Sequence, residues 1–259
     1  MNYENNFQRI HKHTLKAKRK YEGEVFQTNG YGEVIVLEFL SAEEITVSFV
    51  NTENEVVTTL TALLSGCIKD NTQASVIGVG VLGVGEYSPS IHKKHHTLWC
   101  SMLSRCYNET HEQYKNYRDC EVSANFLDFQ FFAKWCEDQI GFNKDGFEID
   151  KDLLSKQVKI YSEKTCVFLP KELNSFLALP KTRKGKLGVS KISNNKYRVR
   201  GTFGGGLKCL GTYETEQEAF QAYKQAKEAY IKEVAELYKD QIDPRVYEAL
   251  MKYEVDIND

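Results

Sequence analysis

Proline is scarce in this chain, with 4 among 259 residues, and no low-complexity tract accompanies it. With 41% hydrophobic and 27% charged residues, ordinary cores can form and wholesale disorder is excluded. Long apolar runs are missing too. The best, Val76 to Val84, is short and broken by glycine, well under the roughly 18 residues a membrane helix needs. The N-terminus has no apolar stretch, so no signal peptide is expected. These absences predict a cytoplasmic protein with no membrane partner. No CxxC pair occurs among the seven cysteines. In a reducing compartment they read as buried thiols rather than zinc ligands or disulfides. Gly78, Gly80, Gly83 and Gly85 lack the Gly-Lys-Ser/Thr ending of a phosphate loop and read as structural turns.

The formal net charge is only −2, which as a total argues against a polyanion partner. Binding depends on local fields, however, and the charges are unevenly spread. Residues 1–20 form a basic N-terminal arm, with Arg9, Lys12, Lys16, Lys18, Arg19 and Lys20 and no acid between 8 and 20. It is either a solvated tail or an arm that meets phosphates. Residues 21–72 carry β-rich runs at Val34 to Phe39 and Ile45 to Val50, after a turn at Asn29-Gly30. They predict a small β-barrel, the place where a protein partner would dock. Residues 73–95 read as a linker. His92, His95 and His96, among Lys93 and Lys94, read as its basic surface end.

Helical spacing follows at Leu98, Met102 and Leu103, then at Phe126, Phe129, Phe132, Ala133 and Cys136. Residues 147–180 read as strands plus a helix. The last module, 184–259, opens with three short strands: Gly188 to Ile192, Tyr197 to Phe203 and Lys208 to Tyr213. Thr215 and Glu218 form a capping-box signature. An apolar stripe from Ala219 to Tyr238 follows, and a last helix after Pro244. The fold class is therefore multi-domain α+β.

From Arg183 to Lys208 there are eight basic residues and no acid. Alternation along a strand puts Lys196, Arg198, Arg200 and Thr202 on one face and Tyr197, Val199 and Phe203 on the other. The apolar face suits the helix stripe, so the cationic face points outward. Arginine forks can grip guanine or phosphate, and a two-stranded ribbon can enter the major groove.

The segments GVSKISNNKYRVRGTF and LGTYETEQEAFQAYKQAKE resemble the plant ethylene-response-factor (Apetala-type) DNA-binding domain over about residues 186–235. The resemblance implies three strands on one helix, with double-stranded DNA as partner. It places groove contacts at Ser190, Arg200, Thr202 and Cys209; the basic stretch itself adds Lys186 and Lys196 as DNA-binding residues, with Lys191, Arg198 and Lys208 for part of the phosphate contact. The family often has Arg and Trp where Ser190 and Cys209 stand, so its sequence preference is not carried over.

Residues 96–180 carry a W-x-x-M-L-x-R-C-Y-N helix and a Y-S-x-x-T-C-x-F-x-P segment. They are similar to phage HNH-type homing endonucleases, which implies a bacterial-host cytoplasm. In that family one divalent metal stabilises charge on the scissile phosphate and a histidine activates water. The resemblance implies Asp150 and Asn174 as metal ligands for Mg2+ or Mn2+. It puts Lys151 where the base histidine stands and Thr165 where an orienting asparagine stands. If the chain is active, Asp150 and Lys151 are its catalytic residues. A lysine with an ordinary pKa is protonated at pH 7 and cannot take a proton. The expectation is thus a phage-type DNA-binding protein derived from an HNH endonuclease, without efficient cleavage. One alternative is a metal-dependent site-specific endonuclease. Another is a regulatory factor acting on a host or phage protein.

Overall fold

The computed structural model describes residues 13–155, 158–177 and 186–256. Arg183, Lys184 and the first twelve residues of the basic arm lie outside the described residues. The chain divides into two compact units, Met1–Asn108 with Leu127–Gln130, and Glu109–Phe126 with Phe131–Asp259. Among the described residues no helix is long and apolar enough to cross a membrane.

In the first unit, helix α1 (residues 13–21) precedes four strands, β1 (Val25–Gln27), β2 (Glu33–Ser41), β3 (Glu44–Phe49) and β4 (Glu55–Thr58). They pair antiparallel in chain order. The expected barrel is not formed. β1 and β4 remain the two edges of an open sheet, because strands of 3 and 4 residues are too short and too few to tilt round and close. Helices cover the apolar face instead. Val34, Val36, Ile45, Val47 and Phe49 pack with Leu63 of α2 (Leu60–Ser65) and with Ala17 and Tyr21 of α1. Part of the basic arm is therefore a packed helix, with Lys18 paired to Glu22 at 3.3 Å.

Buried Asp70 ties the β3–β4 loop down. It accepts from Thr52 Oγ1 (2.6 Å), Asn54 Nδ2 (2.9 Å), Thr72 Oγ1 (2.6 Å) and Gln73 Nε2 (2.9 Å). The presumed linker contains a hairpin, β5 (Ala74–Val76) and β6 (Gly80–Val81), ahead of α3 (Lys93–Tyr107). Gly80 is there because a Cβ would sit 2.5 Å from Leu103 and 2.8 Å from Trp99. The histidines at the start of α3 are not a basic surface segment. They are half-buried, with His92 and His95 against the Tyr87 ring (4.9 and 5.9 Å) and His96 against Phe129 (5.4 Å).

The second unit begins with a 3-10 turn (Glu112–Tyr117), β7 (Glu121–Val122) and α4 (Ala124–Leu127). Helix α5 (Phe129–Glu137) follows. Phe126, Phe132, Trp135, Phe142 and Phe168 form its aromatic core. β8 (Phe147–Asp150) pairs antiparallel with β10 (Val167–Pro170), and α6 (Lys171–Leu177) follows directly. Short β9 (Ile160–Tyr161) runs parallel to β7. The last segment has β11 (Val189–Ser193), β12 (Lys196–Phe203) and β13 (Gly206–Tyr213) in one antiparallel sheet. Helices α7 (Glu216–Tyr238) and α8 (Pro244–Met251) complete it. Val199, Phe220, Ile231, Val234, Val246 and Leu250 share one core with Val167, Leu169 and Leu173, so the sheet rests on the β8–β10–α6 hairpin.

The cysteines are all free thiols, but only Cys120, Cys136 and Cys166 are buried, and Cys67 and Cys209 are exposed. The expectation of seven buried thiols is corrected to that extent. Cys100 and Cys106 lie part-exposed on α3, Cys67 follows the end of α2 and Cys209 stands on β13.

Candidate nucleic-acid interface

The sheet β11–β12–β13 is built around the alternation of β12. Val199, Gly201 and Phe203 are buried, whereas Lys196, Arg200 and Thr202 are exposed and Arg198 is half-buried. α7 holds the apolar face. Its N-terminus is fixed by the reciprocal capping box of Thr215 and Glu218, which satisfies backbone donors that would otherwise be orphaned. At the far end, the Gly204 N–H of the β12–β13 turn donates to Tyr230 Oη at 2.8 Å, and that hydroxyl donates to Glu172 at 3.3 Å. Phe176, Phe203 and Tyr230 stack beneath the turn. The sheet is therefore pinned at both ends, and its other face is left uncovered by α7.

Cross-strand register decides which residues share that face. Ser190 lies opposite Arg198, which lies opposite Thr212. Arg200 lies opposite Cys209, and Thr202 opposite Leu207. Lys196, Arg198, Arg200, Ser190, Thr202 and Cys209 thus come together, joined by Leu207 and by Thr212, the latter brought to this face only by the register shift. No ion pair or hydrogen bond among the described residues engages the side chains of Lys196, Arg198 or Arg200.

Three expected contacts are placed elsewhere. Lys191 lies opposite Tyr197 and Lys208 opposite Gly201, on the side of the sheet that faces α7, although both are exposed. Lys186 donates to Gln217 at 2.9 Å and lies 4.0 Å from Glu216. It serves the N-terminus of α7, where a cation answers the acids of the first turn.

β8, β10 and α6 bring Asp150, Lys151 and Asn174 into one strand–strand–helix unit. Asp150 ends β8, and its Oδ1 accepts from the backbone N–H of Asp152 (3.1 Å) and Leu153 (2.8 Å). Burial pushes its carboxyl above the usual range, against those bonds. Lys151 is 5% exposed, with its ammonium paired to Asp152 and 5.5 Å from the Tyr161 ring centroid. Burial pulls its pKa down, but the Asp152 bond and charge, with Cys120 and Asp150, outweigh that and raise it. Lys151 is consequently a fixed cation at neutral pH, unable to act as a base.

Asn174 Nδ2 donates to Glu148 at 3.4 Å. Thr165 holds a turn, donating to the Ile160 carbonyl at 2.6 Å and accepting from Ser162 N–H at 3.1 Å. His111 packs on Tyr114 (5.5 Å), and His96 approaches Cys100 Sγ (3.4 Å). Among the described residues no group of three His, Cys, Asp or Glu is placed to hold a metal. A backbone-committed Asp150, an Asn174 amide turned to Glu148 and an ammonium beside the carboxylates do not fit a divalent cation. No step is derived through one.

In comparisons with known proteins, no family model, no curated protein and no solved structure matches the chain.

Proposed function

We propose that this chain binds double-stranded DNA through the free face of β11–β12–β13, and that it descends from an HNH-type endonuclease without retaining efficient cleavage. One observation carries the reading. Lys196, Arg198 and Arg200 project from a sheet whose apolar face is occupied by α7, and nothing among the described residues neutralises them. A pinned, twisted antiparallel sheet with a cationic face suits a DNA groove, with positioning by phosphate contacts and reading by base edges. Arg198 and Arg200 are the principal contacts. Lys196, Ser190, Thr202 and Thr212 surround them.

The loss of cleavage follows from Lys151. A general base must be deprotonated at working pH, and this ammonium is stabilised by two carboxylates. The test is incubation with supercoiled and linear duplex, with and without Mg2+ or Mn2+, reading gel shift and nicking together. A shift without nicking is expected. The competing reading, a metal-dependent endonuclease, rests on the sequence resemblance alone. Metal-dependent nicking abolished by Asp150→Ala would establish it in place of the first.

A further inference from the structure

One stretch of the first unit is as one-sided in charge as the last sheet, with the opposite sign. Residues 21–68 contain eight glutamates and no lysine, arginine, histidine or aspartate. The inner side of its sheet is closed by the core of Val34, Val36, Ile45 and Val47. Alternation then turns the other side chains of β2, β3 and β4 to the opposite face. The register assembles that face into rows. Val25 lies opposite Ile35, Ile35 opposite Ser48 and Ser48 opposite Glu55. Glu38 lies opposite Thr46, and Thr46 opposite Val57.

Val25, Leu37 and Val57 are 51%, 44% and 67% exposed, so three apolar side chains stand among acids. Leu37 is the extra residue at the β2 bulge between Val36 and Glu38. No ion pair or hydrogen bond among the described residues engages the side chains of Glu38, Glu44 or Glu55. A solvated face that only needs solubility mixes signs. This face combines unneutralised carboxylates with exposed valine and leucine.

We infer that the outer face of β1–β4 is a docking surface for a lysine- and arginine-rich segment of another protein. Charge complementarity selects the occupant. Such a segment brings cations to Glu38, Glu44 and Glu55, while its aliphatic stems or interspersed apolar side chains cover Val25, Leu37 and Val57. Duplex DNA is repelled by the same carboxylates. The surface therefore adds a protein-binding function, independent of the sheet proposed for DNA.

The probe is a fluorescent peptide of alternating arginine and valine, titrated with the full chain by fluorescence polarisation at low and high salt. Three variants are compared with the native chain. Glu38→Gln/Glu44→Gln/Glu55→Gln neutralises the face. Val57→Ser removes an apolar contact. Glu109→Gln/Glu112→Gln/Glu121→Gln removes three acids elsewhere. With three exposed carboxylates neutralised, the face triple should weaken binding about tenfold. Val57→Ser should weaken it severalfold, and the control triple should stay within about twofold. Circular dichroism and thermal melting confirm that the variants fold.

Equal losses in the two triples would overturn the inference, as would equal affinity for an alternating arginine–serine peptide. Self-association of the native chain in sedimentation, abolished by the face triple, would overturn it in favour of a second copy as occupant. Weaker duplex binding by the face triple would overturn it in favour of nucleic acid.

Discussion

Lys151 and Asp70 show how little a residue's type says until its partners are known. The resemblance to HNH endonucleases would put a base where this chain has Lys151, and an ordinary lysine already argues against proton abstraction. Burial could have reversed that by lowering its pKa. Burial does act to lower it, but the Asp152 hydrogen bond and charge oppose that and the net shift is upward. For Asp70, burial alone would raise the carboxyl, but hydrogen bonds from Thr52, Thr72 and Gln73 outweigh it and hold it at about 2. A carboxyl depressed in the folded state binds protons more readily when unfolded. Its stabilisation is therefore complete above the ordinary carboxyl value of 3.8 and lost as pH falls toward about 2. Asp70→Asn should cost about 1–3 kcal/mol in urea unfolding at pH 7. The deficit should shrink when the melts are repeated near pH 2. A deficit unchanged with pH would show that the ionised carboxylate is not what stabilises the β3–β4 loop. Gly188 offers a steric counterpart. Its φ is +72° and a Cβ would lie 2.0 Å from the Tyr223 ring. Gly188→Ala should destabilise the second unit by about 2 kcal/mol or more, seen as a lowered Tm.

The strands and helices were legible where a local rule sets them. β12 alternates cleanly, and α7 begins at its capping box. Pro244 occupies the first turn of α8, after Asp243, whose side chain accepts from Arg245 N–H. Thr215→Ala should accordingly cost about 1 kcal/mol by removing the cap, measurable by chemical denaturation. Register is different, because it depends on turns and bulges rather than on periodicity. β11 shifts between Lys191 and Ser193, and β12–β13 between Val199 and Arg200. The β12–β13 shift brings Thr212 beside Arg198 on the face of Cys209, while Lys191 and Lys208 alternate with Ser190 and Cys209 onto the helix side. Lys191→Ala or Lys208→Ala should therefore weaken DNA binding less than Arg198→Ala, by the same gel-shift titration. Equal losses would put the binding surface at the sheet margin instead. β5 and β6, of 3 and 2 residues, are too short for any pattern, and Gly80 is explained only by the approach of Trp99 and Leu103.

Closure and charge balance emerge only from the assembled chain. The expected barrel needed long-range closure that no local pattern encodes, and helices cover that core instead. The mixed α+β class was legible, as was the three-stranded sheet backed by a helix. The chain's near-neutral total conceals a wholly acidic stretch at 21–68 and a wholly basic one at 183–208. Fields of that kind act locally, over about a Debye length, so the total is a poor guide to partners. The basic sheet also depends on its C-terminal strap. Lys224 donates to the Val255 carbonyl (2.8 Å), and the Val255 N–H donates to Glu228 (2.8 Å). Tyr253 and Val255 are buried in the same core as Val199.

Duplex affinity measured across a salt series, for the native chain and for Arg198→Ala/Arg200→Ala, bears most directly on DNA binding by this sheet. Each neutralised phosphate contributes about 0.9 to the slope of log K against log salt. Two lost contacts should flatten the slope by about 2 and weaken binding at least tenfold at low salt, with the fold unchanged by circular dichroism. An unaltered slope and affinity in the folded double variant would contradict docking through the sheet.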